Sequence, residues 1–144
     1  MRKIIEGNVD LRKLYLTELF DLSDVEVTGD FDCRGNSLIS LKGSPHTVGK
    51  IFHCNNNELI SLKGAPLTVG GSFYCYFNRL TSLKGAPQTV GGSFYCELNP
   101  LISLEGIPKT IKKDFWISRN LAEKFNEDYI HSLSKINGDV RYIY

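Results

Sequence analysis

The chain has 144 residues, of which 42% are hydrophobic, and its formal net charge is +1. This hydrophobic content is sufficient for a packed core, and the near-zero charge gives no electrostatic footprint for nucleic acid or a membrane surface. The N-terminal stretch MRKIIEGNVD lacks the apolar run of a signal peptide, and no segment is long and apolar enough to span a bilayer. We therefore expect a single cytoplasmic domain in which the four cysteines remain thiols.

Residues 1–26 are expected to form an N-terminal cap that includes a degenerate first repeat. Their apolar positions follow the order found in the later repeats: Val9, Leu11, Leu16 and Leu19 match Phe31, Cys33, Leu38 and Leu41. An array of stacked repeats needs atypical ends, because an open terminal repeat leaves its core face in contact with water.

Residues 27–119 carry a regular repeat of 21 residues, which reads L-x-S-L-K-G-x-P-x-T-V-G-G-S-F-x-C-x-x-N. One phenylalanine marks each unit: Phe31, Phe52, Phe73, Phe94 and Phe115. Side chains alternate along a strand, so the F-x-C run predicts a strand with Phe and Cys pointing inward. One unit cannot bury this face alone, which predicts a mostly β, right-handed solenoid with one parallel sheet. A closed β-helix with three faces per coil is the alternative, but only one strand per unit is evident.

An asparagine follows each predicted strand: Asn36, Asn57, Asn78, Asn99 and Asn120. A polar side chain at the edge of a core must be hydrogen-bonded. We expect this ladder to satisfy backbone groups at the turn, which is a structural role.

Residues 120–144 interrupt the period and are expected to form a C-terminal cap made of a helix and a strand. Helical spacing connects Phe125, Tyr129 and Leu133. The strand is indicated by Gly138-Asp139-Val140-Arg141-Tyr142, which matches Gly29-Asp30-Phe31-Asp32-Cys33.

The unit resembles a bacterial-type leucine-rich repeat, with F-x-C-x-x-N-x-L in place of L-x-L-x-x-N-x-L. More closely, G-x-P-x-x-V-G-G-x-F-x-C-x-x-N-x-L-x-S-L resembles small repeat proteins of tailed bacteriophages and some bacteria. The resemblance covers about residues 7–121 and implies a leucine-rich-repeat-like solenoid. Val69 lies one residue further from Phe73 than the leucine-rich consensus allows, so we expect a bulge at Gly70-Gly71 to absorb the extra residue.

The residue between Phe and Cys points outward from each strand. Down the stack this position holds Asp10, Asp32, His53, Tyr74, Tyr95, Trp116 and Arg141. Neighbouring positions add Tyr76, Phe77 and Leu98. Aromatic side chains on an exposed sheet are typical interface anchors. We therefore predict a partner-binding site, on the concave face, made of His53, Tyr74, Tyr76, Phe77, Tyr95, Leu98 and Trp116. In a complex, the acidic residues at one end of this face, Asp10, Asp30 and Asp32, would meet a basic or polar rim of the partner. The other interpretation is that the stacked rings only stabilise neighbouring strands.

Enzyme, metal and cofactor chemistry is not expected. Cys33 and Cys96 would lie roughly 14 Å apart along the stack, whereas a zinc ion holds its sulfurs about 2.3 Å away. Cys54 and Cys75 would be too widely spaced for a disulfide. His53 and Cys54 are adjacent in a strand, so they point to opposite faces and form no dyad. We predict four free, buried thiols and no catalytic residue.

The function that we predict is recognition of another protein through the aromatic face. The resemblance to phage-encoded proteins implies a bacterial host protein as the partner, blocked by this chain in the host cytoplasm. One alternative is single-stranded nucleic acid, with bases stacked on the same aromatic row. Acidic Asp32, Glu97 and Asp114 stand closer to that row than most arginines, which disfavours this alternative. A structural component that self-associates through the same face is the third hypothesis.

Overall fold

A computed structural model describes residues 3–144 as a parallel β-solenoid of seven coils, and each coil contributes one strand to each of two seven-stranded sheets. The first sheet, called here the Thr sheet, contains β1 (Lys3–Ile5), β3 (Val25–Val27), β5 (Thr47–Val48), β7 (Thr68–Val69), β9 (Thr89–Val90), β11 (Thr110–Ile111) and β13 (Lys135–Ile136). The second, called the Phe sheet, contains β2 (Val9–Asp10), β4 (Phe31–Asp32), β6 (Phe52–His53), β8 (Phe73–Tyr74), β10 (Phe94–Tyr95), β12 (Phe115–Ser118) and β14 (Val140–Ile143). In both sheets the strands follow one another in chain order, so each coil pairs with the next coil.

The predicted strands of the Phe sheet are confirmed, including their register. Phe52 pairs with Phe31 on one side and Phe73 on the other, and the series continues through Phe94 to Phe115. The five rings are fully buried and stacked, with centroids 5.1 to 5.8 Å apart. The weak first copy also pairs as expected, with Val9 opposite Phe31.

The expectation of one parallel sheet was wrong, because each regular coil forms a second short strand, at a Thr-Val step in three coils and at Val25–Val27 and Thr110–Ile111 in the other two. Val69 points into the core while Thr68 faces out. Gly70-Gly71 is therefore not a bulge within one strand but the corner between two sheets. A Cβ at Gly70 would clash with the carbonyl oxygen of Gly49 in the preceding coil, so close stacking of the coils excludes a side chain there.

The asparagine ladder is confirmed at four of its five positions. Asn78 is typical: its Oδ1 accepts a hydrogen bond from Leu59 N (3.0 Å), and its Nδ2 donates to Cys54 O and Cys75 O (3.1 Å each). Asn36, Asn57 and Asn99 make corresponding bonds. Asn120 was wrongly included, because the chain turns after Ser118 into a 3₁₀ helix, Arg119–Leu121, and the Asn120 side chain is exposed.

The C-terminal segment holds one short helix, α1 (Glu127–Leu133), followed by β13 and β14. Asn126 caps α1 by accepting a hydrogen bond from Tyr129 N. The expected apolar face is only partly right: Phe125 is buried but precedes the helix, whereas Tyr129 and Leu133 are exposed. Ile130 is the buried residue of α1, since the helix turns a different side to the core than the spacing indicated.

The last strand continues the Phe sheet in register, with Val140 opposite Phe115 and Arg141 opposite Trp116, as the sequence match predicted. Within residues 3–144, no helix combines the length and apolar character needed to cross a bilayer.

Candidate protein-binding face

The outer side of the Phe sheet carries a continuous aromatic row made of His53, Tyr74, Tyr95 and Trp116. The strand register places these residues directly opposite one another in successive coils. Their rings are nearly parallel and stacked, with centroid distances of 4.8, 4.3 and 5.5 Å in that order. Arg141 closes the row, with its guanidinium carbon 5.5 Å from the centre of the Trp116 ring.

In the aromatic row, the faces of the rings are covered by one another, and the edges of the rings form the surface. Tyr74, Tyr95 and Trp116 each have a ring or the Arg141 guanidinium against both of their π-faces, and all of the row is half-buried. A molecule approaching the sheet meets ring edges and hydroxyl groups. Burial and the neighbouring Tyr95 raise the pKa of Tyr74 to about 12, so the Tyr74 hydroxyl keeps its proton at neutral pH.

Phe77 and Leu98 project from the turn that follows strands β8 and β10. Both adopt a left-handed backbone, with φ of 56° and 58°. The corresponding positions of the preceding coils hold Lys13, Gly35 and Asn56, also at positive φ; glycine and asparagine tolerate that conformation best. The Phe77 and Leu98 side chains are 56% and 41% exposed.

An open groove of ≈ 420 Å³ runs beside these two side chains. Its lining consists of Phe77, Asn78, Leu98, Asn99, Pro100, Ser118 and Asn120. The groove lies where the C-terminal 3₁₀ helix departs from the regular coil, which removes the next projecting turn and leaves space. It is wide enough for apolar side chains of a partner but does not enclose a small molecule.

Beside the aromatic row runs a second outward column: Asn55, Tyr76, Glu97 and Ser118. The Tyr76 ring meets Tyr74 edge to face, with centroids 6.4 Å apart and planes at 69°. Glu97 is only 4% exposed, and among residues 3–144 its Oε2 has no hydrogen-bond partner. Burial raises the pKa of Glu97 to about 7. The one signal for Glu97 in the sequence is an acid in a column that otherwise holds basic Arg34 and neutral Asn55, Tyr76 and Ser118.

The structure brings together Tyr74, Tyr76, Phe77, Tyr95, Leu98 and Trp116, and it places His53 at the far end of the row. The acidic end behaves differently from the expectation. Asp32 is buried and lies 3.1 Å from the Arg34 guanidinium, and Arg12 pairs with Asp10 at 2.8 Å. The Arg12 hydrogen bonds lower the pKa of Asp10 to about 2. These arginines pair with two of the three acidic residues at this end, whereas the Asp30 carboxylate accepts a hydrogen bond from Ile51 N at 2.9 Å.

The four cysteines are buried and free, as predicted. Each thiol donates to the carbonyl of the outward residue in the next coil; Cys75 Sγ, for example, lies 3.3 Å from Tyr95 O. Burial raises the pKa of every one of these thiols, which disfavours the reactive thiolate. His53 lies on the opposite side of the sheet from Cys54. Among the described residues, no three His, Cys, Asp or Glu side chains are grouped to hold a metal ion.

No protein-family model, curated protein or solved structure matches this chain.

Proposed function

We propose that this chain is a non-catalytic protein-binding module whose contact surface is centred on Phe77 and Leu98 and extends over the edges of Tyr74, Tyr95 and Trp116. The observation that carries this proposal is the choice of residue at the left-handed turn. A bulky residue held at positive φ costs of order 1–3 kcal/mol, and Gly or Asn would avoid most of that cost.

Phe77 and Leu98 lie outside the hydrophobic core. Both side chains are exposed, so their burial offsets only part of the conformational cost. Two of the three preceding coils use Gly35 and Asn56 at this position, and the first uses the exposed Lys13. Strain kept at an exposed apolar position is a typical property of binding sites. The adjacent groove supplies the space into which partner side chains fit.

The resemblance to phage-encoded repeat proteins favours a bacterial host protein as the partner, bound and blocked in the host cytoplasm. The four buried thiols are compatible with a reducing compartment of that kind. Stacking of nucleic-acid bases is less well supported, because the inner rings of the aromatic row have no free π-face on which a base could stack.

The test compares partner capture by the wild type and by the double variant Phe77→Asn, Leu98→Gly. These substitutions install the residues of the preceding coils, so the variant should fold while capture of bacterial proteins falls at least about 30-fold, equivalent to about 2 kcal/mol. Ile60→Asn is the matched control, because Ile60 is equally exposed but lies at another corner of the coil. Capture that survives in the double variant and fails in Ile60→Asn would contradict the proposal.

Light scattering of the purified protein tests the remaining hypothesis, that the chain is a structural component that self-associates. Self-association through this face requires an oligomer that the double variant converts to a monomer. A wild-type monomer that captures another protein supports heterologous recognition.

A further inference from the structure

Glu97 is a buried acidic group of this face that has no compensating partner among residues 3–144. Its Oε2 is buried and accepts no hydrogen bond, and Glu97 forms no ion pair among residues 3–144. By contrast, Asp10, Asp32 and Asp114, which line the same face, each pair with an arginine. An uncompensated buried carboxylate is costly, so its retention calls for a functional explanation.

The surroundings of Glu97 suit a cation. Glu97 follows Tyr95 by two residues on the same face, and the carbonyl of Glu97 accepts a hydrogen bond from Phe77 N at 3.1 Å. The edge-to-face arrangement of Tyr74 and Tyr76 gives the neighbouring coil an aromatic corner. Aromatic rings beside a carboxylate attract ammonium and guanidinium groups through the ring quadrupole as well as through charge.

The apolar rim fits the rest of such a side chain. Leu98 is adjacent to Glu97 in the chain, Phe77 lies in the neighbouring coil, and both are exposed. Lysine and arginine carry aliphatic stems that pack on apolar surfaces while their charged groups reach a polar partner.

Resting on the protein-binding function proposed above, we propose that Glu97 anchors a basic side chain of the partner protein, with its aliphatic stem against Phe77 and Leu98 and its cation on Oε2. Binding requires the Glu97 side chain to turn outward, because Oε2 is covered in the free protein. When the Glu97 side chain turns outward, Oε2 breaks no hydrogen bond, and the ionised carboxylate regains contact with solvent.

Of the groups that face one another around Glu97, the Glu97 carboxyl is the one that changes its protonation near neutral pH. Tyr74 and Tyr76 lie on the preceding coil, and Trp116 and Ser118 on the following one. Cys75 and Cys96 lie across the sheet, and burial raises the pKa of both thiols, as it does for Tyr74. Of the arginines in the neighbouring coils, Arg79 pairs with Glu58 at 3.4 Å, Arg119 is exposed after Ser118, and Arg141 is paired with Asp114 at 2.7 Å.

Trp116 is the only tryptophan of the chain and stacks on Tyr95, so its fluorescence reports on this site. The probes are the capped tripeptides acetyl-Gly-Lys-Gly-amide and acetyl-Gly-Arg-Gly-amide, with the acetylated lysine version as the neutral control. We expect a saturable fluorescence change with at least one cationic peptide and none with the neutral one. The cationic peptide that saturates at lower concentration identifies lysine or arginine as the source of the cation.

The pH dependence gives a second readout. With the Glu97 pKa at about 7, about a tenth of the carboxyl is ionised at pH 6 and about nine tenths at pH 8, so a cation should bind roughly tenfold more tightly at pH 8. Glu97→Gln should abolish binding and its pH dependence. Glu97→Ser, which copies Ser118 of the next coil, serves as a second folded variant.

Equal binding of the neutral peptide, tighter binding at pH 6, or unchanged binding by the folded Glu97 variants would overturn the inference. Absence of binding by both cationic peptides would also overturn it. The proposed function is tested separately by capture through Phe77 and Leu98, so these results distinguish failure of the cation anchor from failure of protein binding.

Discussion

Phe77 and Leu98 occupy the same position in successive coils, and both hold a large apolar side chain exposed on a left-handed backbone. The turn itself requires positive φ, because Gly35 and Asn56 adopt it too. The backbone conformation is thus a property of the coil, whereas the residue choice at these two positions is a departure from what the coil favours.

Relief of this strain should be measurable as stability. Phe77→Asn and Leu98→Gly should leave the free energy of unfolding unchanged or raise it by up to about 1 kcal/mol, since little buried area is lost. Urea denaturation followed by circular dichroism provides the measurement. A loss of more than about 1 kcal/mol in either variant would mean that these side chains pack in the fold, and the argument from strain would not hold.

The aromatic row should contribute to stability as well as to recognition. Tyr95 stacks on Tyr74 at 4.3 Å and on Trp116 at 5.5 Å, so Tyr95→Ala removes two ring contacts and should cost about 1–3 kcal/mol. Tyr95→Phe should cost much less, because the ring remains. Tyr15→Ala is the matched control, since Tyr15 is 92% exposed and should change the unfolding free energy by less than about 0.5 kcal/mol. Equal effects of Tyr95→Ala and Tyr15→Ala would show that the stack adds nothing to stability.

Glu97 should destabilise the protein as the pH rises through neutrality. Burial raises its pKa from 4.5 to about 7, so the folded state holds the proton more tightly than the unfolded state does. This contribution is complete below the unfolded pKa and is lost as the pH rises through about 7. At pH 8, Glu97→Gln should therefore be more stable than the wild type, by about 3 kcal/mol at most.

Denaturation midpoints at pH 5, 6, 7 and 8 test this prediction. The two proteins should converge towards pH 5, and the difference should grow with pH. A constant difference across this range would show that Glu97 does not titrate in it.

The asparagine ladder should be one of the largest polar contributors to stability. Asn78→Ala leaves Leu59 N without an acceptor in the interior and removes one of the two side-chain amide donors of Cys54 O and of Cys75 O, which still accept from Asn57 and Asn99. The change should cost about 1–3 kcal/mol. Asn120→Ala should cost less than about 0.5 kcal/mol, because Asn120 is exposed on the 3₁₀ helix. Comparison of the two melting curves tests whether equivalent sequence positions have different structural roles, and similar losses would contradict the geometry described here.

The 21-residue period by itself determined the solenoid, the register of the Phe sheet, the buried cysteines and the hydrogen-bonded asparagines. Each of these follows from local alternation repeated at a constant interval, because identical units stacked in parallel must place equivalent residues opposite one another. The column of outward residues from Asp10 to Arg141 could be predicted for the same reason.

Only the tertiary structure decided the properties that depend on contacts between coils. The Thr-Val strands are too short for an alternation signal and form because neighbouring coils supply their hydrogen bonds, so the second sheet was missed. The covered ring faces depend on side chains about 21 residues away, which periodicity places side by side without specifying how they pack. Asp10 and Asp32 pair with Arg12 and Arg34, two residues further along the chain, and the repeat pattern does not specify these ion pairs. The left-handed backbone at Phe77 and Leu98 contradicts the preference of those two residues; its one signal in the sequence is Gly35 and Asn56 at the equivalent positions of earlier coils.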